Sequence, residues 1–261
     1  FAVRVQGPVV ADVEQVTQAL WTRANLGRGW REELAVLARS TEPLSKTLQL
    51  LRDLRSGIPR RMLPVDPLSL PPVRVALAVR DNFRQRRAIE RIYIEAIGRA
   101  QSRLDIACPY FYPGRAFRRS LRRAAARGVQ VRLLMQGKID YRFAALAARV
   151  LYDELLAWNV KVFEYTPAFL HAKVAVVDGA WATVGSSNLD PLSLLLAREA
   201  NLVIQDPAFA AELQRRLEQA CEAGAHAVRP QMQRQAWWDR WLDRLSYVLM
   251  RSLIFLTARR Y

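Results

Sequence analysis

The sequence predicts an α/β fold, a sheet covered by helices on its faces. Three observations carry that reading. Short apolar β-forming runs alternate with helical patterns from residue 73 onward, hydrophobic residues make up 51% of the 261-residue chain, and only 11 glycines and 13 prolines interrupt it. Such a composition excludes a disordered chain and is large enough to bury a substantial core.

The elements follow in order. Phe1-Ala2-Val3-Arg4-Val5 alternates like a strand, with Val3 to Val5 as its centre, and Gln6-Gly7-Pro8 leads into an amphipathic helix through Val10, Val13, Leu20 and Trp21. Residues 22–72 form a linker or insertion with short helical pieces, Trp30 to Arg39 and Leu44 to Arg55, broken by Pro59, Pro64, Pro67, Pro71 and Pro72. A strand then covers Val73 to Val79. Ile89, Ile92, Tyr93, Ala96 and Ile97 mark one face of a helix. The strand Leu104 to Cys108 follows, Pro113-Gly114 opens an arginine-rich helix, and Gly128 closes it. Val129 to Met135 is a strand, Phe143 to Trp158 a helix, and Val160 to Phe163 a strand. Leu202-Val203-Ile204 is the last, before Gln205-Asp206-Pro207 and a helix that turns Phe209, Leu213 and Leu217 inward. The Gln-x-Pro break thus occurs after residue 5 and again after residue 204.

Forty Lys+Arg against 24 Asp+Glu give a formal charge of +16, which suits a polyanion: an anionic membrane surface or a nucleic acid. Two cysteines, Cys108 and Cys221, and two histidines, His171 and His226, are too few for a zinc cluster or a disulfide framework. No apolar run is long enough to span a bilayer; Leu245 to Ala258 comes nearest and carries Arg251.

Chemistry concentrates between His171 and Asn188. Asp178-Gly179 is a favoured two-residue turn between apolar β-formers. Such a turn would set Val177 opposite Ala180, Lys173 opposite Val184 and His171 opposite Ser186, placing His171, Lys173, Ser186 and Asn188 on one face. An imidazole, an ammonium, a hydroxyl and an amide in one place suit a phosphodiester: the imidazole attacks phosphorus while the others hold its oxygens, and no metal is required. Only four lysines occur, Lys46, Lys138, Lys161 and Lys173, so a lysine two residues from one of two histidines is unlike chance. Asp178 suits the turn better than a substrate contact, and His226 suits a solvated position near a helix end.

The string His171-x-Lys173-x4-Asp178-x6-Gly185-Ser186-x-Asn188 resembles the HKD motif of the phospholipase D superfamily. Cys108-Pro109-Tyr110-Phe111-Tyr112-Pro113-Gly114, Gln136-Gly137, Glu164-Tyr165 to Leu170-His171, and Trp181 to Leu194 resemble the second half of bacterial cardiolipin synthases. The resemblance implies an α/β/α sandwich with a mixed sheet, one complete catalytic half and a remnant of another. Residues 1–21 would be the tail of a truncated first half, 22–72 the linker, 73–222 the catalytic half, and 223–261 a basic, aromatic, amphipathic C-terminal segment. The first HKD motif would then lie upstream of Phe1.

For function, the resemblance implies a phosphatidyltransferase working through a phosphohistidine, with phosphatidylglycerol or a similar phospholipid as substrate and no cofactor. His171, Lys173, Asp178 and Glu199 would be catalytic, His171 as nucleophile or general acid and Glu199 as the carboxylate orienting the imidazole; Lys173, Ser186 and Asn188 would hold the phosphate. The site would be completed by the missing half or by a second protomer. Peripheral attachment to the cytoplasmic face of a bacterial membrane is expected. Trp237, Trp238 and Trp241, with Leu242, Leu245, Val248, Leu249 and the interspersed arginines, suit a surface-lying helix. Two other readings remain: a dimeric single-motif phosphodiesterase acting on nucleic acid, and a non-catalytic basic module that binds membrane or nucleic acid.

Overall fold

A computed structural model describes residues 2–21, 73–80, 85, 87–138, 151–190 and 198–229. The chain divides into two units, residues 2–72 and residues 73–261 with Phe1. In the first unit the described part is a helix, α1, over 9–21; Val10, Val13 and Trp21 stay 40%, 38% and 70% exposed. Residues 2–6 are not a strand, contrary to the alternation of Val3 and Val5. A strand needs a partner to complete its ladder, and no described strand pairs with this one. The helical pieces expected within 22–72, the first part of the helix expected from Phe143, and the tryptophan-rich segment all lie outside the described residues.

The second unit is built on an eight-stranded mixed sheet. Its elements are β1 (Arg74–Arg80), α2 (Ala88–Arg99), β2 (Arg103–Ala107), α3 (Arg115–Ala126), β3 (Gln130–Gln136), α4 (151–157), β4 (Lys161–Tyr165), β5 (Val174–Val177), β6 (Trp181–Gly185), β7 (Glu199–Gln205), α5 (Pro207–Glu222) and β8 (Ala225–Ala227). The strand order is β1-β7-β6-β5-β2-β3-β4-β8. β2, β3 and β4 run parallel; the remaining neighbours are antiparallel. β8 was not expected: residues 225–227 pair with β4, so the C-terminal segment begins by extending the sheet. His226 is exposed on this short strand.

Helices cover both faces because the central strands are apolar on both sides. Leu104, Ile106, Leu133, Ala175 and Val177 pack with Ile89, Tyr93, Phe117, Leu121, Leu151 and Leu155 from α2, α3 and α4. Ala107, Leu134, Val174, Val176 and Ala182 pack instead with Ala210, Leu213 and Leu217 of α5. Every residue of β5 is therefore buried, its odd positions under one layer and its even positions under the other. The start of α5 is set by Asp206, whose carboxylate accepts from Phe209 N at 2.6 Å, with Pro207 in the first turn.

The β5–β6 hairpin departs from the expected register by one residue. Val177 pairs with Trp181 and Val174 with Val184, because Ala180 joins Asp178 and Gly179 in the turn. Asp178 and Gly179 have φ of 50° and 62°, the left-handed region that suits this pair of residues. The Asp178 carboxylate accepts from the backbone N–H groups of Gln101, Ser102 and Arg103 and from the Ser102 hydroxyl, at 2.8–2.9 Å. It ties the hairpin tip to the entry of β2.

Partial burial of Asp178 pushes its pKa up, but the donors of Arg103, Ser102 and Gln101 together outweigh burial and hold it below the usual value. The ion thus stabilises the fold above the unfolded-state pKa of about 3.9, and that contribution is lost as pH falls through the lower folded value. Asp178→Asn should lower stability by about 1–2 kcal/mol at neutral pH, discounted for solvent exposure. Urea unfolding at a series of pH values should show the deficit shrinking under acid; an equal deficit at all pH values would contradict this role for the charge.

Candidate active site

The strand directions bring one set of polar side chains to a single edge of the sheet. β5 runs antiparallel to β2, so His171 and Lys173, just before β5, lie beside Cys108, just after β2. β6 ends at Gly185, where Ser186 follows, and β7 begins there with Glu199, opposite Arg80 at the end of β1. Asp178 lies at the other end of the hairpin, away from this group.

Lys173 is only 7% exposed, and its Nζ lies 2.8 Å from His171 Nε2. A charged Lys173 has only protons to offer, so its ammonium is the donor in this contact. Burial lowers the Lys173 pKa, while the carboxylates of Glu199 and Asp190 oppose the shift. Glu199 moves the other way: burial raises its pKa, opposed by the Ser186 hydroxyl and by the charges of Arg80 and Lys173. Both perturbations reflect a half-enclosed site in which charges are partly removed from water.

The structure joins Glu199 to Ser186, not to His171. The Ser186 hydroxyl donates to the Glu199 carboxylate and accepts from Ala200 N at 3.1 Å, and Ser186 N donates to Ala200 O at 3.0 Å. Among the described residues no hydrogen bond runs from Glu199 to the imidazole. Asn188 is half-buried in the loop after β6, close in sequence to Ser187, whose hydroxyl donates to Asn188 O at 3.3 Å. This loop is fastened to the turn after β2: Leu189 N donates to Cys108 Sγ at 3.3 Å and Tyr112 N to Leu189 O at 2.8 Å. Burial pushes the Cys108 thiol up to about 12, so it stays protonated as a packing group.

Two residues in the site, Arg80 and Asp190, went unnoticed in the sequence, and a third, Asn201, follows Glu199 at the spacing of the resemblance. Arg80 is fully buried, and its charge helps keep Glu199 ionised; it lies one residue beyond the expected strand. Asp190 adds a negative charge that acts on Lys173, Glu199 and Cys108. Asn201 is buried, and its amide accepts from Ser187 N at 3.4 Å and donates to Thr183 Oγ1 at 3.2 Å. The glycine of the motif belongs to the same contact: a Cβ on Gly185 would lie 2.1 Å from Asn201 Oδ1 and 2.5 Å from Ala200 O.

The family model described as "Cardiolipin synthase, PLD-like domain" matches residues 93–221, which include the whole His171–Asn188 string and Glu199. The chain belongs to the phospholipase D superfamily. Cardiolipin synthase B of Shigella flexneri is 34% identical over 252 residues; the match covers 96% of this chain and 54% of that protein. Cardiolipin synthase A of Pseudomonas fluorescens is 42% identical over 125 residues, covering 48% of this chain and 26% of the relative. The chain therefore spans about half the length of the synthase B proteins it matches. The crystal structure of a phosphatidylserine synthase from Haemophilus influenzae superposes with a TM-score of 0.55 at 15% identity, covering 85% of this chain and 54% of that one. This chain has the phospholipase D-like α/β fold expected from the sequence.

Gly185→Ala would overpack the seat of the phospholipase D motif and should cost about 1–3 kcal/mol. A melting temperature unchanged from the parent would show that Asn201 and the backbone of Ala200 can yield.

Proposed function

We propose that this chain supplies one catalytic half of a phosphatidyltransferase that makes cardiolipin from phosphatidylglycerol or a similar phospholipid. The observation that carries the reading is the 2.8 Å contact between Lys173 Nζ and His171 Nε2, at the edge of the sheet where Ser186 and Glu199 also lie. Similarity to cardiolipin synthases over 96% of the chain supports the lipid substrate. The activity of the whole enzyme would need a second imidazole, from another half or from a second protomer.

In this mechanism a phosphate oxygen of the donor lipid takes over the Lys173 hydrogen bond, which frees the Nε2 lone pair of His171. Nε2 attacks phosphorus, the bond from phosphorus to the headgroup oxygen breaks, and the second imidazole gives that oxygen a proton. Glycerol leaves when the donor is phosphatidylglycerol, and the phosphatidyl group remains on His171. The hydroxyl of a second phosphatidylglycerol then loses its proton to the second imidazole and attacks phosphorus, releasing His171 and forming cardiolipin. Lys173 and Asn188 hold the non-bridging oxygens as charge builds on them, and Ser186 joins them when its hydroxyl turns from Glu199 to the phosphate. Glu199 acts on His171 through its field, which offsets the positive charge that develops on the ring. Side chains supply the nucleophile and the phosphate clamp; among the described residues no group of three His, Cys, Asp or Glu is placed to hold a metal.

A phospholipid substrate calls for contact with the bilayer. No described helix is long and apolar enough to cross a membrane. Peripheral attachment, with the basic aromatic segment beyond residue 229 on an anionic cytoplasmic leaflet, fits the charge of +16.

The test is a trapping experiment on the natural protein containing this chain. Brief reaction with phosphatidylglycerol labelled on phosphorus, followed by denaturation, should leave an acid-labile, base-stable label on the peptide containing His171. His171→Asn should remove that label and lower cardiolipin formation by roughly 10⁴-fold or more, while a chelator leaves turnover intact. Turnover without any label at His171, or turnover abolished by EDTA, would overturn the mechanism.

The pH dependence follows from the same geometry. Because the Lys173 pKa is lowered, its charge is lost below the ordinary lysine range as pH rises, so kcat/KM should fall on the alkaline side earlier than for a free lysine. The raised Glu199 pKa places loss of its charge above the ordinary carboxylate range as pH falls. Glu199→Gln should remove this second dependence and reduce kcat more than it changes KM; a pH profile identical to that of the parent would exclude Glu199 from the step.

A further inference from the structure

Beside the catalytic edge stands a loop that carries an exposed phenylalanine. Residues 166–170 read Thr-Pro-Ala-Phe-Leu and join β4 to His171. Phe169, two residues before the imidazole, is 64% exposed, whereas the adjoining Leu170 is buried at 8%. The loop is pinned at several points. Gln136 accepts from Leu170 N through its side chain, Lys138 Nζ donates to Pro167 O at 3.1 Å, and Thr166 Oγ1 donates to Gly224 O at 3.1 Å. The phenyl ring is therefore held out into solvent by a fixed backbone. Lys138, one of only four lysines, lies with Nζ 5.9 Å from the centre of that ring. No acidic residue occurs from Thr166 to Leu170.

An outward aromatic ring next to a cation, on a pinned loop at the mouth of a phosphodiester site, matches the chemistry of a bilayer surface. The ring suits the boundary between headgroups and acyl chains, and the ammonium suits the phosphate layer above it. We propose that this loop is a membrane contact: Phe169 enters an anionic leaflet, Lys138 meets lipid phosphates, and the catalytic edge of the sheet is thereby seated at headgroup depth. The inference rests on the lipid substrate proposed above and adds where on the catalytic unit the leaflet is met. It is separate from the basic aromatic segment beyond residue 229, which would attract the protein to the surface without orienting the site.

The test places a spin label on Phe169→Cys in a Cys221→Ser background, Cys108 being buried and protonated. The probe surfaces are vesicles of phosphatidylglycerol with phosphatidylcholine, and of phosphatidylcholine alone. On the anionic vesicles the label should become accessible to oxygen and shielded from a water-soluble nickel relaxant. In co-sedimentation, Phe169→Ser should weaken binding to the same vesicles roughly tenfold. Lys138→Gln should weaken it at low salt and much less at high salt. Circular dichroism and thermal melting of each variant check that the fold persists.

A label that stays equally open to the nickel relaxant on vesicles, or a Phe169→Ser variant that binds as tightly as the parent, would overturn the contact. Turnover on phosphatidylglycerol is measured separately in the parent protein. Lipid turnover with a label left in water defeats this inference alone. An immersed label without phosphatidyl transfer defeats the proposed reaction and leaves the membrane contact standing.

Discussion

A nearly buried ammonium governs the site. Lys173 is 7% exposed at the start of the central strand β5, and an unpaired charge there would cost several kcal/mol. Its compensation comes from different parts of the chain: the imidazole two residues before it, Glu199 at the start of β7, and Asp190 in the loop after β6. These partners are brought together only when β5, β6 and β7 are paired. The condition for keeping Lys173 charged is thus also the condition for assembling the site, and in the proposed reaction an entering phosphate would meet a cation already stripped of most of its water. Lysine also differs from the abundant arginines here, because its compact charge can pass from imidazole to phosphate without a fixed fork geometry.

At the opposite edge the charges serve the fold. Asp105, 2% exposed, lies 2.6 Å from Arg132 Nε and 2.8 Å from Arg103 Nε, and Arg103 also reaches Glu218 of α5 at 2.7 Å. Burial raises the Asp105 pKa and the two arginines oppose the shift. Together with Asp178, this network ties β2, β3, the hairpin tip and α5 to one another. The motif therefore spans the sheet: its histidine and lysine stand at the reactive edge, while its aspartate holds the far end of the same hairpin in place. That placement accounts for an aspartate at a fixed spacing in the motif without a contact to substrate.

The sequence made the layered architecture legible because burial on both faces leaves long apolar runs, as in Val174–Val177, and because the helices carry inward residues at regular spacing. His171 and Lys173 were legible because both residue types are rare here. Arg80 was hidden by the opposite circumstance: one arginine among so many carries no compositional signal, and its burial depends on β1 pairing with β7 across more than a hundred residues. Glu199 was found by its spacing from the motif, yet its bond to Ser186 needs the β6–β7 register, which local pattern does not encode. β8 is three residues long and owes its place to the neighbouring strand β4 rather than to a pattern of its own.

The one-residue difference in the hairpin changes how the motif works. With a two-residue turn, Ser186 would face His171, and the hairpin alone would build the site. The observed turn sets Lys173 beside Gly185, whose N–H donates to Lys173 O at 3.0 Å. Ser186 is left to pair with β7, bonding to the backbone of Ala200 and to Glu199. Gly185 permits this because the Asn201 amide occupies the space a side chain would need. The Gly-Ser pair is thus the joint through which the hairpin engages the strand that carries the carboxylate. A strand shifted by one residue exchanges its two faces, so the spacing between Lys173 and Gly185 is set by this joint as much as by the turn.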